Sequence, residues 1–167
     1  MSHANTYIGG GDNLAKTKWD SLRRAASASP HAAQLHLLGG LSAEQVETHF
    51  AQRRVFIAPL FNSTGIATKI VNSMGHGLPV TTTSDGIRGL GFISAKNDTS
   101  GEVPIDQALC VANDADAFAS CLCKLLVDDD AWTQASSAGL KHISHVLSPS
   151  AQRRSMRDAV VRRPLEN

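Results

Sequence analysis

The sequence predicts an α/β fold, a Rossmann-like parallel sheet with flanking helices and a helical C-terminal third. Three observations carry that expectation. Short apolar runs of strand length alternate with longer amphipathic stretches through the first two thirds of the chain. Glycine and proline punctuate the junctions between them. Beyond Asp114 the pattern turns helical and stays so.

The elements follow in order. Tyr7-Ile8 before Gly9-Gly10-Gly11 reads as a short strand entering a glycine loop. Thr17 to Ser29 is helical and stops before Ser29-Pro30, because the residue before proline is pushed out of the helical region. Gln34 to Leu38 is a second strand, closed by Gly39-Gly40. Ser42, with Gln45 three residues on, has the spacing of a capping box for a helix reaching about Gln52. Arg54 to Leu60 is a continuous apolar run suited to burial on both faces. Ser63 and Thr64 are candidate N-caps for a helix from Gly65 to Gly75. Leu78 to Thr82 is the next strand, and Ser84 to Ser100 a loop rich in Gly, Ser, Asp and Asn. Ala108 to Ala112 is the last strand, before helices over Asp114 to Val127, Ala131 to Val146 and Ser150 to Arg162.

Composition bounds the function. A chain of 167 residues suits one well-buried domain, here expected over residues 1–167, with a basic helix or tail over 151–167. With 42% hydrophobic and 19% charged residues it is expected to fold. A net charge of +1 offers no global field for nucleic acid or an anionic membrane. The longest apolar runs fall far short of the roughly 20 residues that span a bilayer. Met1 to Gly11 lacks the basic flank and apolar core of a secretory signal, so the expected location is cytoplasmic. Cys110, Cys121 and Cys123 are accordingly expected as buried free thiols, and Cys121-x-Cys123 lacks the redox or zinc spacing.

The informative segment runs from Arg54 to Leu90: a strand, a short loop, a helix, a second strand and a glycine-bearing loop. In open parallel sheets ligands bind beyond the carboxyl ends of the strands, where the Phe61 to Gly65 and Thr83 to Leu90 loops would emerge. A helix starting at Gly65 would offer unpaired N–H groups and a partial positive charge to a phosphate. On that helix Ile66, Ile70 and Met74 form an apolar row, while Lys69, Asn72 and His76 fall on a polar stripe. Such a stripe is either a solvated helix face or one wall of an anion site.

The run Val55-Phe56-Ile57-Ala58-Pro59, Thr64-Gly65, Lys69, Gly77-Leu78-Pro79-Val80 and Gly89-Leu90 resembles, in order and spacing, the donor-binding core of GT-B glycosyltransferases of the group 1 type. Weaker likeness extends to Leu37-Leu38-Gly39-Gly40 and to Asp128 with Trp132, so that the family-like core covers residues 7–150. The resemblance implies half of a GT-B fold that binds a nucleotide-diphospho-sugar and transfers its sugar to an acceptor. Carried over by position, Gly10 and Gly11 approach the diphosphate, Thr64 and Gly65 lie near sugar and phosphate, Lys69 contacts phosphate or sugar, and Gly89 and Leu90, at the end of the second loop, also bind the donor. Asn72 stands where the family usually carries a ribose-binding Glu. An amide has one acceptor oxygen and no charge, so ribose binding should weaken by on the order of 1–2 kcal/mol. The diphosphate-clamping Arg and Lys that the family carries after its first strand have no clear counterpart, although Lys16 and Lys18 lie near.

The resemblance implies no cofactor and no metal, since helix dipole and Lys69 supply the positive charge. Catalytic residues are not assigned. The family binds its acceptor on a second domain, so a separate acceptor-binding domain or chain is an expected partner, and a non-catalytic binding or assembly module is the alternative. His142 and His145 fall one helical turn apart without a third ligand at a supporting spacing. His76 is expected to cap or line its helix end. Arg153, Arg154, Arg157, Arg162 and Arg163 form a solvated face or an interface, and no interleaved aromatics point to nucleic acid.

Overall fold

Side-chain caps fix several helix starts in the computed structural model, which describes residues 5–9, 16–62, 65–92 and 105–161. The expected capping box is present: the Gln45 N–H donates to Ser42 Oγ (3.2 Å) and the Ser42 N–H to Gln45 Oε1 (2.8 Å). It opens a helix over Ala43–Gln52. Asp114 and Asp128 do the same by accepting from the N–H groups of Ala117 (2.8 Å) and Ala131 (2.9 Å). Each satisfies a donor that a helix N-terminus leaves open.

The chain divides into two compact units, residues 1–49 and 50–167. In the first, β1 (Thr6–Gly9) pairs in parallel with β2 (Leu35–Gly39), with α1 (Lys16–Ala28) between them in sequence. Tyr7 stacks on His36 across the pair with ring centroids 4.7 Å apart. Helix α2 (Ala43–Gln52) follows β2.

In the second unit, β3 (Phe56–Ala58), β4 (Val80–Thr82) and β5 (Leu109–Val111) form a parallel sheet with β4 in the middle. Register runs Phe56 to Val80 to Leu109 and Ala58 to Thr82 to Val111, so all three strands end at one edge. Around them lie α3 (Thr68–Gly75), the single turn α4 (Ile105–Ala108), α5 (Ala115–Val127), α6 (Asp129–His142) and α7 (Pro149–Val161). A wider, π-type turn over Ile143–Leu147 joins α6 to α7. The core is Ala58, Ile70, Met74, Val80, Leu90, Ala108 and Leu109. Removing such side chains from water is the main stabilising term.

Arg54 holds the entry to β3. Its guanidinium donates to the Leu125 carbonyl (3.1 Å) and pairs with Asp129 (2.5 Å), while its own carbonyl accepts from Trp132 Nε1 (2.6 Å). Asp128 and Trp132, noted from the sequence, therefore cap and anchor the α5–α6 corner.

Three expectations need correction. The Arg54 to Leu60 run forms only a short strand that is not buried on both faces; the strand buried at every residue is β4, although two of its three residues are threonine. Position decides this, since β3 lies at the edge of its sheet and β4 in the middle. Secondly, the Gly65 helix begins three residues later, at Thr68, with Ala67 as its N-cap and no side-chain cap. Gly65 sits at φ +86, a left-handed conformation that a right-handed helix cannot contain. Ser63 and Thr64, expected as its caps, lie outside the described residues, and Ile66 is an exposed residue (53%) outside the helix rather than part of its apolar row. Thirdly, the cysteines are not all free and buried. Cys110 of β5 and Cys121 of α5 form a disulfide with Cα atoms 5.7 Å apart, and Cys123 is exposed. The turn between β5 and α5 brings the first two together, a proximity their spacing does not reveal. Two residues further round the helix, Cys123 lies on another side.

Among the described residues no helix is long and apolar enough to cross a membrane. The disulfide closes a loop of 11 residues' separation and should contribute roughly 2–3 kcal/mol by restricting the unfolded chain. Urea unfolding of the oxidised chain and of Cys121→Ser should differ by that amount. Identical midpoints would mean that the bridge contributes nothing.

Candidate functional site

The parallel register carries the segments after β3, β4 and β5 to one edge of the sheet, and hydrogen bonds stitch them together there. Thr82 Oγ1 donates to the Ala58 carbonyl (2.8 Å) and Thr83 Oγ1 to the Leu60 carbonyl. On the other side, the Ala112 N–H donates to the Thr82 carbonyl and the Ser84 N–H to Asn113 Oδ1, both at 2.9 Å. Both threonines are buried, and their hydroxyls cross-link the strand ends.

The loop from Thr83 to Leu90 folds back over the edge. Gly86 is buried, and a Cβ there would collide with Thr82 Oγ1 and lie 3.2 Å from Ile70 Cδ1. Gly89 sits at φ +75, and a Cβ on it would lie 3.2 Å from Ile66 Cγ1. The loop after β4 therefore rests on the segment that leads into α3. Asp85 joins the same two loops. Its Oδ2 accepts from the Asn62 N–H (2.7 Å), and its Oδ1 pairs with Arg88 Nη2 (2.5 Å). Asn62 is itself left-handed, at φ 57. At the far end, buried His142 donates from Nε2 to the Leu90 carbonyl (2.7 Å), and Phe92 stacks on its ring at 3.8 Å.

The site residues expected from the sequence fall as follows. Gly10, Gly11 and Thr64 lie outside the described residues. Gly65 is exposed, and a Cβ placed on it would meet nothing within 4 Å. Lys69 is exposed in the first turn of α3 and makes no salt bridge among the described residues. Asn72 is exposed one turn later. Opposite that stripe, Ile70 and Met74 are buried in the core. Gly89 is exposed beside Ile66, whereas the Leu90 side chain is fully buried. His76 caps α3 through its backbone N–H, and its Nδ1 donates to the Asn72 carbonyl at 2.8 Å. His142 belongs to the Leu90 anchor, and His145 is exposed. The arginines Arg153, Arg154 and Arg157 are exposed on α7.

Sequence reasoning missed Asn62, Asp85, Gly86 and Arg88. The available signal was Ser84-Asp85-Gly86, a turn-forming triplet with a carboxylate able to bond backbone N–H groups. Chemically, the edge offers the first turn of a helix whose N-cap, Ala67, has no capping side chain, together with Lys69, Arg88 and glycine-bearing loops that let backbone come close. That combination suits an anionic ligand.

Comparison with known proteins gives a family and a fold. The profile described as glycosyl transferases group 1 matches residues 3–128. No curated protein matches by sequence. Among solved structures, sucrose-phosphate synthase from Thermosynechococcus elongatus superimposes with a TM-score of 0.70 at 13% identity, covering 92% of this chain and 37% of that one. TarM gives 0.63 at 12% identity, over 92% of this chain and 28% of that one. The pneumococcal O-GlcNAc transferase GtfA, in complex with UDP and GlcNAc, gives 0.61 at 14%, over 95% and 30%. The chain therefore spans about a third of the length of the structures it matches. At these identities the likeness is one of fold.

Gly86→Ala tests the packing of the edge. The added methyl must displace Thr82 Oγ1 from its bond to the Ala58 carbonyl, at an expected cost of about 1–3 kcal/mol in chemical denaturation. An unchanged midpoint would show that the loop does not sit on β4 as described.

Proposed function

Since the chain belongs to the glycosyl transferases group 1 family, we propose that it is a donor domain holding a nucleotide-diphospho-sugar at the carboxyl edge of β3, β4 and β5. The observation that carries the proposal is Lys69: a cation with no salt-bridge partner among the described residues, in the first turn of a helix whose N-cap, Ala67, supplies no side-chain cap, at the edge where α/β sheets take ligands. In this reading the diphosphate lies against the first turn of α3. Gly65 and Gly89 carry no side chain into the approach, and Lys69 neutralises charge. The Leu90 side chain takes no direct part: buried in the core, it fixes the loop. The UDP bound to GtfA makes uridine diphosphate the first ligand to try.

Transfer would proceed as the bond between sugar and diphosphate breaks. The helix N–H groups and Lys69 would stabilise the charge that builds on the departing nucleoside diphosphate. The acceptor would be bound by a further domain or a separate chain, for which the exposed arginines of α7 are a candidate contact. Cytoplasmic action is part of the same proposal. One observation favours a second reading, a binding or assembly module without transfer activity: Asn72 offers a neutral amide where the family usually has a carboxylate.

Titration of UDP and GDP, followed by calorimetry and melting temperature, tests the proposal. A ligand at 100 times its dissociation constant should stabilise the fold by about 2.7 kcal/mol. Lys69→Ala should weaken binding, and Asn72→Glu should tighten it through a charge-assisted bond to the ribose, by on the order of tenfold. Binding without hydrolysis or transfer of a UDP-sugar would select the module reading. Unchanged affinity in Lys69→Ala would remove the site from α3.

A further inference from the structure

We infer that Arg88, oriented by Asp85, is a second cation of the phosphate-binding edge, and that Asp85 is the positioning residue for both loops that form it; this rests on the donor-binding function proposed above. Both oxygens of the Asp85 carboxylate are committed. One fixes the N–H of Asn62 at the left-handed turn after β3, and the other holds one nitrogen of Arg88 in the loop after β4. The Asp85 side chain is only 22% exposed, whereas that of Arg88 is 65% exposed.

A guanidinium carries five N–H donors in a fixed fork. A single carboxylate oxygen on Nη2 tethers one end of the group to the loop, while the side chain stays 65% exposed and most of its donors face solvent. Planar donors held in this way suit a phosphate, which they can bind through two parallel N–H···O bonds. Arg88 precedes Gly89, and Gly89 lies against Ile66, two residues before the first residue of α3. The Arg88 loop and the helix start that carries Lys69 are therefore neighbours. Counting Lys69, Arg88 and Asp85 together leaves one net positive charge for an incoming diphosphate.

The same carboxylate governs the other loop. Asn tolerates left-handed backbone better than most residues, but it does not require it. The bond from the Asn62 N–H to Asp85 selects that conformation and so directs the chain back toward α3. Loss of Asp85 should release the turn and the guanidinium together.

UDP binding by the full chain, measured by calorimetry for wild type, Arg88→Ala, Asp85→Ala, Asp85→Asn and the Asp85→Ala/Arg88→Ala pair, tests the assignment. Amide exchange of Asn62 is followed in parallel without ligand. Arg88→Ala should weaken UDP on the order of tenfold, and Asp85→Ala by a similar factor. The double variant should lose less than the product of the two, the mark of residues acting as a unit. Asp85→Asn keeps an acceptor for Asn62 and should preserve more of the amide protection than Asp85→Ala. Unchanged affinity in Arg88→Ala, or tighter binding in Asp85→Ala, would overturn the assignment, the latter by showing that the carboxylate only repels phosphate. If the Asn62 amide exchanges equally fast in wild type and Asp85→Ala, the positioning role falls. A wild type that binds neither UDP nor GDP would overturn the donor-domain function and this assignment together, which separates that failure from a failure of Arg88 alone.

Discussion

The site depends on the pairing of β3, β4 and β5 in parallel, with β4 fully buried between the other two. Parallel register sends all three chain segments out at the same edge, so residues far apart in sequence meet there. Burial of β4 removes water from its end and makes every polar group in it expensive unless bonded. Thr82 and Thr83 meet that cost by bonding to carbonyls of the segment after β3, which turns a packing requirement into a cross-link. The glycines follow from the same constraint, because the loop after β4 can fold back over the edge only where Gly86 carries no side chain.

Much of the fold was legible in the sequence because it rests on local rules. The capping box at Ser42 and Gln45, the helix ending at Gln52 and the helical pattern after Asp114 depend on residues within a few positions of one another. Less legible were features set at long range. Apolar content alone could not rank β3 against β4, since position within the sheet decided which was buried. Nor could cysteine spacing disclose the Cys110–Cys121 bridge, which a strand, a turn and a helix bring together.

The candidate site divides along the same line. Gly65, Lys69, Asn72 and Gly89 were visible through order and spacing, and all four are exposed. Leu90 was visible too, but its side chain turns inward to the core, and its carbonyl is tied to His142. Asp85, Asn62 and Arg88 were hidden because their significance lies in one carboxylate bridging two loops. A helix start placed at Gly65 from composition moved to Thr68 once left-handed backbone at Gly65 excluded it. Lys69 still falls in the first turn of the helix after that shift, and the N-cap Ala67 supplies no side-chain cap.

The family model places the chain in the glycosyl transferases group 1 family, while fold by itself leaves the chemistry open. The central claim is that the carboxyl edge of the second unit holds a nucleoside diphosphate. Mapping UDP onto the isotope-labelled chain by amide chemical shifts addresses it most directly. The account predicts that the largest perturbations fall on residues 60–62, 65–69 and 84–90. Perturbations confined to the opposite end of the strands, around Val55 and Leu78, would contradict it.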